Sequence, residues 1–460
     1  MKTKNILVVL FMLVFTLIFS QRVIRAQMIP IEDSKTILPL RKRVEITEKW
    51  WRWKWENVLP VVMREQGVDM WIIRDDEADL YYNNNGPVYV SLLPTDHQGM
   101  TYASKHVRPG SQRIPRFMMF YDSGEKIKYL EPKGYEHITQ LVKEHNPKEI
   151  AIAQYNNEKM VEAIGKKYAS RIIDAWTLGV RWLETVGPER ISVYRHVQRV
   201  ANEVIAEAFS NRVVIPDVTT TEDLNWWVLH KYVELGLDME NYPTINIQRS
   251  DENMAKYDDP PEYFRNGRTF NGVNVVIRRG DIISCDTDLY MYGLITDSHQ
   301  HAYVLKPGES DVPEPLKEAL RKVNQMQDLF RKEFKVGRTG KEIVAASKKI
   351  KRLPGIIESA LGFHPPPMYI FRFWLGGYMF DRKSYVAGMT SGRGYYPTSI
   401  VTNDHKLYYN TLYAFEPHTR VAVPGWEHGV ELGIGQITIF KEEGLQYLAR
   451  PQQYDWHVIR

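Results

Sequence analysis

Asp286 and Asp297 are the residues of this 460-residue chain whose types and spacing point most directly to chemistry. They lie eleven positions apart in the β-rich stretch between Gly280 and Leu305, on either side of the dipeptide Tyr292-Gly293. A turn there predicts an antiparallel hairpin, which can aim both carboxylates at one point. Two carboxylates close together in a core are costly unless a proton or a cation lies between them. The pair therefore predicts a site for one or two hard divalent metal ions, with two solvated strand aspartates near a turn as the alternative.

Several segments of the chain resemble the creatinase, prolidase and Xaa-Pro aminopeptidase family, whose catalytic domain has the pita-bread fold. Asp286 and Asp297 match the Asp-x10-Asp pair that begins the family's metal site. Four further segments are similar to family motifs: 62–73, 303–309, 336–342 and 412–417. The resemblance spans roughly residues 40 to 450.

The resemblance implies an α+β protein in which a pita-bread catalytic domain, residues 189–460, follows a smaller α/β creatinase-type N-terminal domain, residues 40–188. In the first domain, short β-rich runs alternate with turn and helical segments, which is typical of an α/β domain with a mixed sheet. These runs are 70–73, 88–93, 116–121 and 149–153. In the second domain, helices are expected at about 189–211, 222–235, 314–334 and 339–351. Thr219 and Glu222 have the spacing of a capping box at the start of the helix at 222–235.

The family's dinuclear site uses two aspartates, one histidine and two glutamates. Asp286, Asp297 and Glu416 match three of these ligands. Gly435 falls at the position of the last glutamate and has no side chain with which to bind a metal. Glu431 lies four residues earlier and could replace that ligand only through a register change or a bulge.

Two further residues occupy positions that matter in the family. His364, in a His-Pro segment, is the candidate fourth metal ligand, with a loop histidine as the alternative reading. Tyr242 stands where family enzymes carry a catalytic histidine that positions the substrate carbonyl. Its phenol can donate a hydrogen bond, but with an unperturbed pKa of about 10 it cannot shuttle protons at neutral pH. His299 and His301 follow Asp297 closely enough for one of them to approach the site.

Residues 1–26 have the pattern of a secretory signal peptide, with Lys2 and Lys4 before the apolar run 6–19. We therefore expect a secreted or periplasmic protein, with an uncleaved N-terminal anchor as the alternative. Removing these residues deletes four basic residues and no acidic residue, which takes the formal charge from +4 to zero. A neutral chain gives no support for nucleic-acid binding. Cys285 is the only cysteine, so the chain contains no internal disulfide.

These observations predict an exported metallohydrolase of the Xaa-Pro aminopeptidase or prolidase type that cleaves short proline-containing peptides. Its dinuclear site is expected to be weakened or lost, with a divalent metal (manganese, zinc or cobalt) bound as one ion or not at all. A first alternative is an inactive pseudo-peptidase that binds a peptide or another small ligand. A second is a metal-free enzyme of the creatinase type. No integral membrane domain is expected after processing. Relatives are commonly homodimers, and the four tryptophans at positions 50–55 fit either core packing or a subunit interface.

Overall fold

The computed structural model describes residues 37–74, 117–152, 158–239, 242–292, 294–361, 363–364, 406–449 and 453–460. The predicted signal peptide and the predicted strand at 88–93 lie outside these residues. Within the described residues, no helix has the length and apolar character needed to cross a membrane.

The first domain is a five-stranded mixed sheet covered by helices. Its strands are β1 (Met70–Arg74), β2 (Phe117–Asp122), β3 (Ile127–Leu130), β4 (Ile150–Ile152) and β5 (Ile172–Asp174), in the order β3-β2-β1-β4-β5. Its helices are α1 (Leu40–Asn57), α2 (Leu59–Glu65), α3 (Tyr135–His145), α4 (Glu158–Ile164) and α5 (Trp176–Glu184), with a 3₁₀ turn at Ala169–Arg171. Strand β1 pairs antiparallel with β2 and parallel with β4, so the sheet is mixed, as the sequence predicts.

Alternate residues of the central strand β1 face two different cores. Trp71 and Ile73 join one apolar cluster, and Met70 and Ile72 join another on the opposite face. This alternation follows from the two-residue period of a strand. Burial on both faces explains why the strand is a continuous apolar run.

The tryptophans of α1 point in different directions. Trp50 is 8% exposed and packs edge-on against Tyr292 of the second domain, with ring centroids 6.2 Å apart. Trp55 packs edge-on against Phe120 of β2, whereas Trp53 is 38% exposed. Core packing therefore accounts for Trp50 and Trp55, and the subunit interface stays a prediction.

The second domain begins with helices and continues as several small sheets. Its helices are α6 (Pro188–Ala208), α7 (Thr221–Glu234), α8 (Asp251–Lys256), α9 (Glu314–Arg331) and α10 (Gly340–Ser347), with a 3₁₀ turn at Pro261–Tyr263. Its first eight strands are β6 (Asp238–Met239), β7 (Thr244–Gln248), β8 (Phe264–Arg265), β9 (Arg268–Thr269), β10 (Ile282–Thr287), β11 (Leu289–Met291), β12 (Leu294–Ile295) and β13 (Ser298–Val304). The remaining strands are β14 (Ile356–Ala360), β15 (Phe363–His364), β16 (Thr411–Phe415), β17 (His418–Val423), β18 (Trp426–Gly433), β19 (Gln436–Lys441), β20 (Gly444–Tyr447) and β21 (His457–Ile459).

Helix α7 begins one residue away from the predicted cap. Thr220 and Asp223 form its capping box, in which each side chain bonds the other residue's backbone N–H. The predicted partner Thr219 instead accepts a hydrogen bond from the backbone N–H of Ile215 at 2.9 Å. The correct motif type was thus predicted with a one-residue error, because adjacent threonines offer two competing registers.

Three sheets position the candidate site. A six-stranded sheet has the order β21-β13-β10-β7-β9-β8, a four-stranded sheet β15-β16-β19-β20, and a three-stranded sheet β14-β17-β18. Strands β10 and β11 pair with β13 and β12 in one continuous antiparallel register around the turn after Tyr292, whose φ is +58°. This is the hairpin that the sequence predicts.

Candidate metal centre

One face of the six-stranded sheet carries the polar residues of the site. Asp286 of β10 lies directly opposite His299 of β13, and Thr244 of β7 lies on the other side of Asp286. Directly paired residues of an antiparallel sheet share a face, while the neighbouring residue points away. Cys285 accordingly faces the apolar core, where burial raises the pKa of its thiol well above the usual value. It is a structural, unreactive thiol.

His299 is the centre of the acidic cluster. Its Nε2 lies 2.8 Å from Oδ1 of Asp286 and 3.2 Å from Oδ1 of Asp297. Asp297 sits just before β13 and is therefore the diagonal neighbour of Asp286 rather than its direct partner. The structure brings the two predicted aspartates together, with an imidazole between them.

Glu416 approaches His299 from the other sheets. It follows β16, and His418 begins β17 two residues later, opposite Gly433 of β18. One ligand atom each from His299, Glu416 and His418 lie within 4.8 Å of one another, and the same holds for Asp286, Asp297 and His299. His299 thus belongs to two groups that could hold a metal ion.

Two glycines make room for the two imidazoles. A Cβ built on Gly433 would lie 2.4 Å from Nδ1 of His418, which is too close for any real side chain. A Cβ on Gly435 would lie 2.9 Å from Cγ and Nδ1 of the His299 ring and 3.2 Å from Cγ of Glu416. The backbone N–H of His299 also donates to the carbonyl of Gly435 at 3.0 Å. The histidine rings therefore occupy the space that side chains at 433 and 435 would need.

The two imidazoles differ in protonation. Burial opposes the charged form of His299, but Asp286 and Asp297 outweigh burial and raise its pKa well above the usual value. Burial, followed by repulsion from His299, lowers the pKa of His418 to about 4. Because a positive charge on one ring disfavours a charge on the other, His299 is the more basic imidazole of the pair.

His301, two residues after His299, supports the site from beneath. Its Nε2–H donates to the carbonyl of Gly433 at 2.8 Å, since that carbonyl can only accept. Burial lowers the pKa of His301 to about 3, so this ring is neutral. This hydrogen bond positions Gly433, which lies against the His418 ring.

A cavity of about 80 Å³ adjoins the cluster. Its lining is mostly polar: Thr244, Asn246, Arg268, Asn271, Ser284, Cys285, Asp286, His299, His301, His418, Glu431 and Gly433. Asp286 lines the cavity and its side chain is 49% exposed, whereas the side chain of Asp297 is 11% exposed. A small ligand entering this cavity would meet the acidic cluster directly.

Glu431 lies nearby but is held by arginines. Its two carboxylate oxygens accept from Nη1 of Arg268 at 3.0 Å and from Nη2 of Arg420 at 2.5 Å. Burial alone would raise the pKa of Glu431, but Arg268 and Arg420 lower it. Strand β18 pairs regularly with β17 through Glu431, without the bulge that would turn its side chain toward Gly435. Glu431 belongs to neither metal-ligand group of the described residues.

The other two predicted site residues lie at the edges of this arrangement. Tyr242 is 56% exposed, packs edge-on against Trp226 with ring centroids 5.9 Å apart, and does not line the cavity. The backbone of His364 pairs with Ala414 of β16, the strand that leads to Glu416, and its side chain lies outside the described residues. Its role as a ligand stays a prediction.

His418 is the site residue that sequence reasoning missed. A usable signal was present, because Glu416 and His418 are two residues apart, as Asp297 and His299 are. In both cases the acid lies just before a strand and the histidine is at or next to the start of that strand, so each acid is followed closely by a histidine. The missing side chain at Gly435 is thus accompanied by two additional imidazoles.

The donor set fits a divalent metal ion. Asp286, Asp297 and His299 form one group of three potential ligands, and His299, Glu416 and His418 form a second group that shares His299. Carboxylate oxygens and imidazole nitrogens are the ligands of zinc, cobalt and manganese sites. The negative charges of Asp286, Asp297 and Glu416 make this cluster costly unless a metal ion or a proton compensates them.

Comparison with known proteins agrees with this chemistry. Residues 192–435 match the family model for metallopeptidase family M24, over more than half of the 460-residue chain. This chain belongs to metallopeptidase family M24. The predicted relationship to creatinase, prolidase and Xaa-Pro aminopeptidases is confirmed, and so is the predicted α+β fold with a pita-bread domain. No curated protein sequence matches the M24 chain significantly.

Solved structures similar to this M24 protein include three Xaa-Pro peptidases. An X-Pro aminopeptidase from Thermotoga maritima has 14% identity and a TM-score of 0.49, covering 85% of this chain and 97% of its own. An Xaa-Pro dipeptidase from Bacillus anthracis has 14% identity and a TM-score of 0.45, covering 92% and 100%. Zinc-substituted aminopeptidase P from Escherichia coli has 12% identity and a TM-score of 0.43, covering 73% and 83%. Because these TM-scores are below 0.5, the family assignment rests on the sequence model.

Proposed function

We propose that this M24 protein is an exported, metal-dependent hydrolase that cleaves short proline-containing peptides at Xaa-Pro bonds. The observation that carries the proposal is the convergence of Asp286, Asp297 and Glu416 on His299. Membership of a metallopeptidase family supports peptide hydrolysis, and the Xaa-Pro preference is taken from the named structural neighbours. We infer manganese, zinc or cobalt as the metal.

A divalent cation bound at this cluster would polarise a scissile carbonyl as a Lewis acid. The chain's own residues hold and orient that cation, since Asp286 and Asp297 fix the His299 ring and Glu416 adds a charged oxygen. Thr244, Asn246 and Ser284 supply polar groups along the cavity wall, where they can accept or donate hydrogen bonds to a peptide backbone.

The site is weaker than a five-ligand dinuclear centre. Gly435 supplies no carboxylate, and the carboxylate of Glu431 is engaged by Arg268 and Arg420. With one fewer negative ligand, holding two cations close together becomes much harder. We therefore propose one bound ion and slow turnover.

A second candidate is a pseudo-peptidase that binds peptides without cleaving them. The absence of a side chain at Gly435 favours it, because the family's second metal would lose its glutamate there. Both candidates predict peptide binding, and only the first predicts metal-dependent cleavage.

Purified protein, stripped of metal and then titrated with Zn²⁺, Mn²⁺ or Co²⁺, tests the proposal. Xaa-Pro dipeptides and longer Xaa-Pro peptides are supplied as substrates, and released amino acids are measured by mass spectrometry. We expect cleavage that requires a metal and is slower in an Asp297→Asn variant. Peptide binding by calorimetry without cleavage would support the pseudo-peptidase, and metal-free turnover of creatine would support the creatinase-type alternative.

Export and assembly are proposed on the sequence alone. Expression of the full chain in a bacterium followed by N-terminal sequencing of the extracytoplasmic fraction should show cleavage near residue 26. Retention of residues 1–26 in a membrane fraction would support the uncleaved anchor instead. Sedimentation velocity of the processed protein tests the predicted homodimer.

A further inference from the structure

The His299 ring is held at one end by two carboxylates and presents its other end to a second pair of ligands. Its Nε2 contacts Asp286 and Asp297, which accept hydrogen bonds when ionised, so Nε2 carries the proton. In the neutral ring the lone pair is then on Nδ1. Carboxylates behind a histidine are the arrangement that orients metal-ligating imidazoles in proteins.

Nδ1 of His299 lies on the side of the ring that borders Gly435. The position of a Cβ on Gly435 is 2.9 Å from Nδ1 of His299 and 3.2 Å from Cγ of Glu416, so both groups border the space that the glycine leaves open. The ion-pair contacts of His299 with Asp286 and Asp297 are both made by Nε2, at the other end of the ring. A metal ion entering that space would displace the second ring proton from Nδ1 and bind its lone pair.

His418 completes a set of three. Its ring lies 6.1 Å from the His299 ring, between centroids, and one of its nitrogens is within 4.8 Å of the ligand atoms of His299 and Glu416. Glycine at 433 leaves the room that this ring occupies, since any larger residue there would displace it. Two histidines and one glutamate form the protein ligand set of catalytic zinc sites that keep a fourth position open.

We propose that a single Zn²⁺ binds between Nδ1 of His299, Glu416 and His418, with Asp286 and Asp297 as positioning residues behind His299. This inference rests on the proposed metal dependence and specifies which residues ligate. It replaces a carboxylate-rich dinuclear centre with a nitrogen-rich mononuclear one. Two imidazole ligands favour zinc over manganese, because imidazole suits zinc whereas manganese prefers oxygen ligands.

The nitrogen content of the site can be read without an activity assay. Cu²⁺ is added to metal-free full-length protein at one equivalent, and pulsed electron paramagnetic resonance counts the coupled imidazole nitrogens. We expect two coupled imidazoles, displacement of Cu²⁺ by excess Zn²⁺, and a Zn²⁺ stoichiometry of one by mass spectrometry. Absence of imidazole coupling, or tighter binding of Mn²⁺ than of Zn²⁺, would overturn the inference.

Variants separate ligands from positioning residues. His418→Gln should lose one nitrogen coupling and weaken Zn²⁺ binding at least ~100-fold, whereas Asp286→Asn should keep both couplings and weaken binding ~10–100-fold. His428→Gln, an exposed histidine on β18, is the matched control and should change neither. Equal behaviour of the His418 and His428 variants would sink the proposed ligand set. His299→Gln provides a second ligand test if the first variant does not fold.

The outcomes distinguish this inference from the proposed function. Two coupled imidazoles in a protein that cleaves no peptide would support the ligand set and argue against the hydrolase. Metal-dependent Xaa-Pro cleavage by a protein without imidazole coupling would support the hydrolase and argue against the ligand set.

Discussion

Strand β10 has a cluster of charged residues near each end. The negative charge of the aspartate is neutralised in a different way in each cluster. Before the strand, Asp281 is fully buried and accepts from Nε of Arg249 at 3.2 Å through both oxygens. Nδ2 of Asn253 and the backbone N–H of Arg278 donate to the same carboxylate at 3.0 and 2.8 Å. Near the other end, Asp286 is half exposed and its closest cationic partner is the imidazole of His299, at 2.8 Å.

The type of counter-ion, arginine or histidine, indicates which of the two clusters can bind a ligand. A guanidinium is charged at every accessible pH, so the Asp281 cluster contains its own permanent counter-ion. An imidazole can exchange its proton for a metal ion, so a metal ion from solution can replace the positive charge of the His299 cluster. Burial raises the pKa of Asp281 to about 6 despite Arg249, which shows how costly a fully buried carboxylate remains even with such a partner. We interpret the first cluster as structural and the second as functional.

The largest expected effect is the loss of hydrolysis in Glu416→Gln. This change removes the only carboxylate of the His299, Glu416 and His418 group, so we expect Xaa-Pro cleavage to fall about 100- to 1000-fold. Steady-state kinetics at saturating Zn²⁺ measure the change. Asp281→Asn should retain cleavage in its folded fraction, and equal loss in both variants would erase the distinction between the clusters.

Asp281→Asn should destabilise the fold by about 3 kcal/mol or more, because it leaves part of the buried Arg249 charge without its partner. Urea unfolding followed by tryptophan fluorescence measures this. Glu314→Gln, which removes an exposed partner of Arg321, is the matched control and should leave the unfolding midpoint unchanged. A stable Asp281 variant would mean that Asp259, the other partner of Arg249, is sufficient.

Gly435→Ala should disturb the functional cluster by overpacking. Its Cβ would lie 2.9 Å from the His299 ring, and we expect a cost of about 1–3 kcal/mol together with weaker Zn²⁺ binding. Unfolding curves with and without Zn²⁺ measure both effects.

Two further variants test whether the effect of Gly435→Ala comes from its contact with His299. Gly134→Ala has nothing within 4 Å of the new Cβ and should bind Zn²⁺ normally. The double variant Gly435→Ala/His299→Ala should recover stability but not metal binding. Normal Zn²⁺ affinity in Gly435→Ala would show that the ring has room to move.

Glu431→Gln should have the smallest effect on the metal. It weakens the hydrogen bonds from Arg268 and Arg420, at a cost of about 1–2 kcal/mol in unfolding free energy, and leaves Zn²⁺ stoichiometry unchanged. Metal analysis of the purified variant checks this. A variant that binds no zinc would show that Glu431 is a metal ligand and belongs to the functional His299 cluster.

The regular elements of the second domain were largely predictable. The hairpin around Tyr292, the long helix from Pro188 and the helix that begins after Thr339 follow from local patterns, since turn, cap and periodicity signals act within a few residues. The two aspartates follow from that hairpin and from the family resemblance. His364 and Tyr242 came from the resemblance alone. Tyr242 does not line the cavity, and the side chain of His364 lies outside the described residues, so its role as a ligand stays a prediction.

Sequence alone determined the family, the acidic residues at 286, 297 and 416, and the absence of a side chain at 435. Only the tertiary structure decided what fills that absence. His418 and Gly433 face each other within the β17–β18 hairpin, but His299 of the six-stranded sheet meets Gly435, which connects strands of the two other sheets. Whether one side chain fits the space beside another residue depends on how those strands face each other. Local sequence patterns carry no information about that packing, because close-packed volumes are shared between segments far apart in the chain.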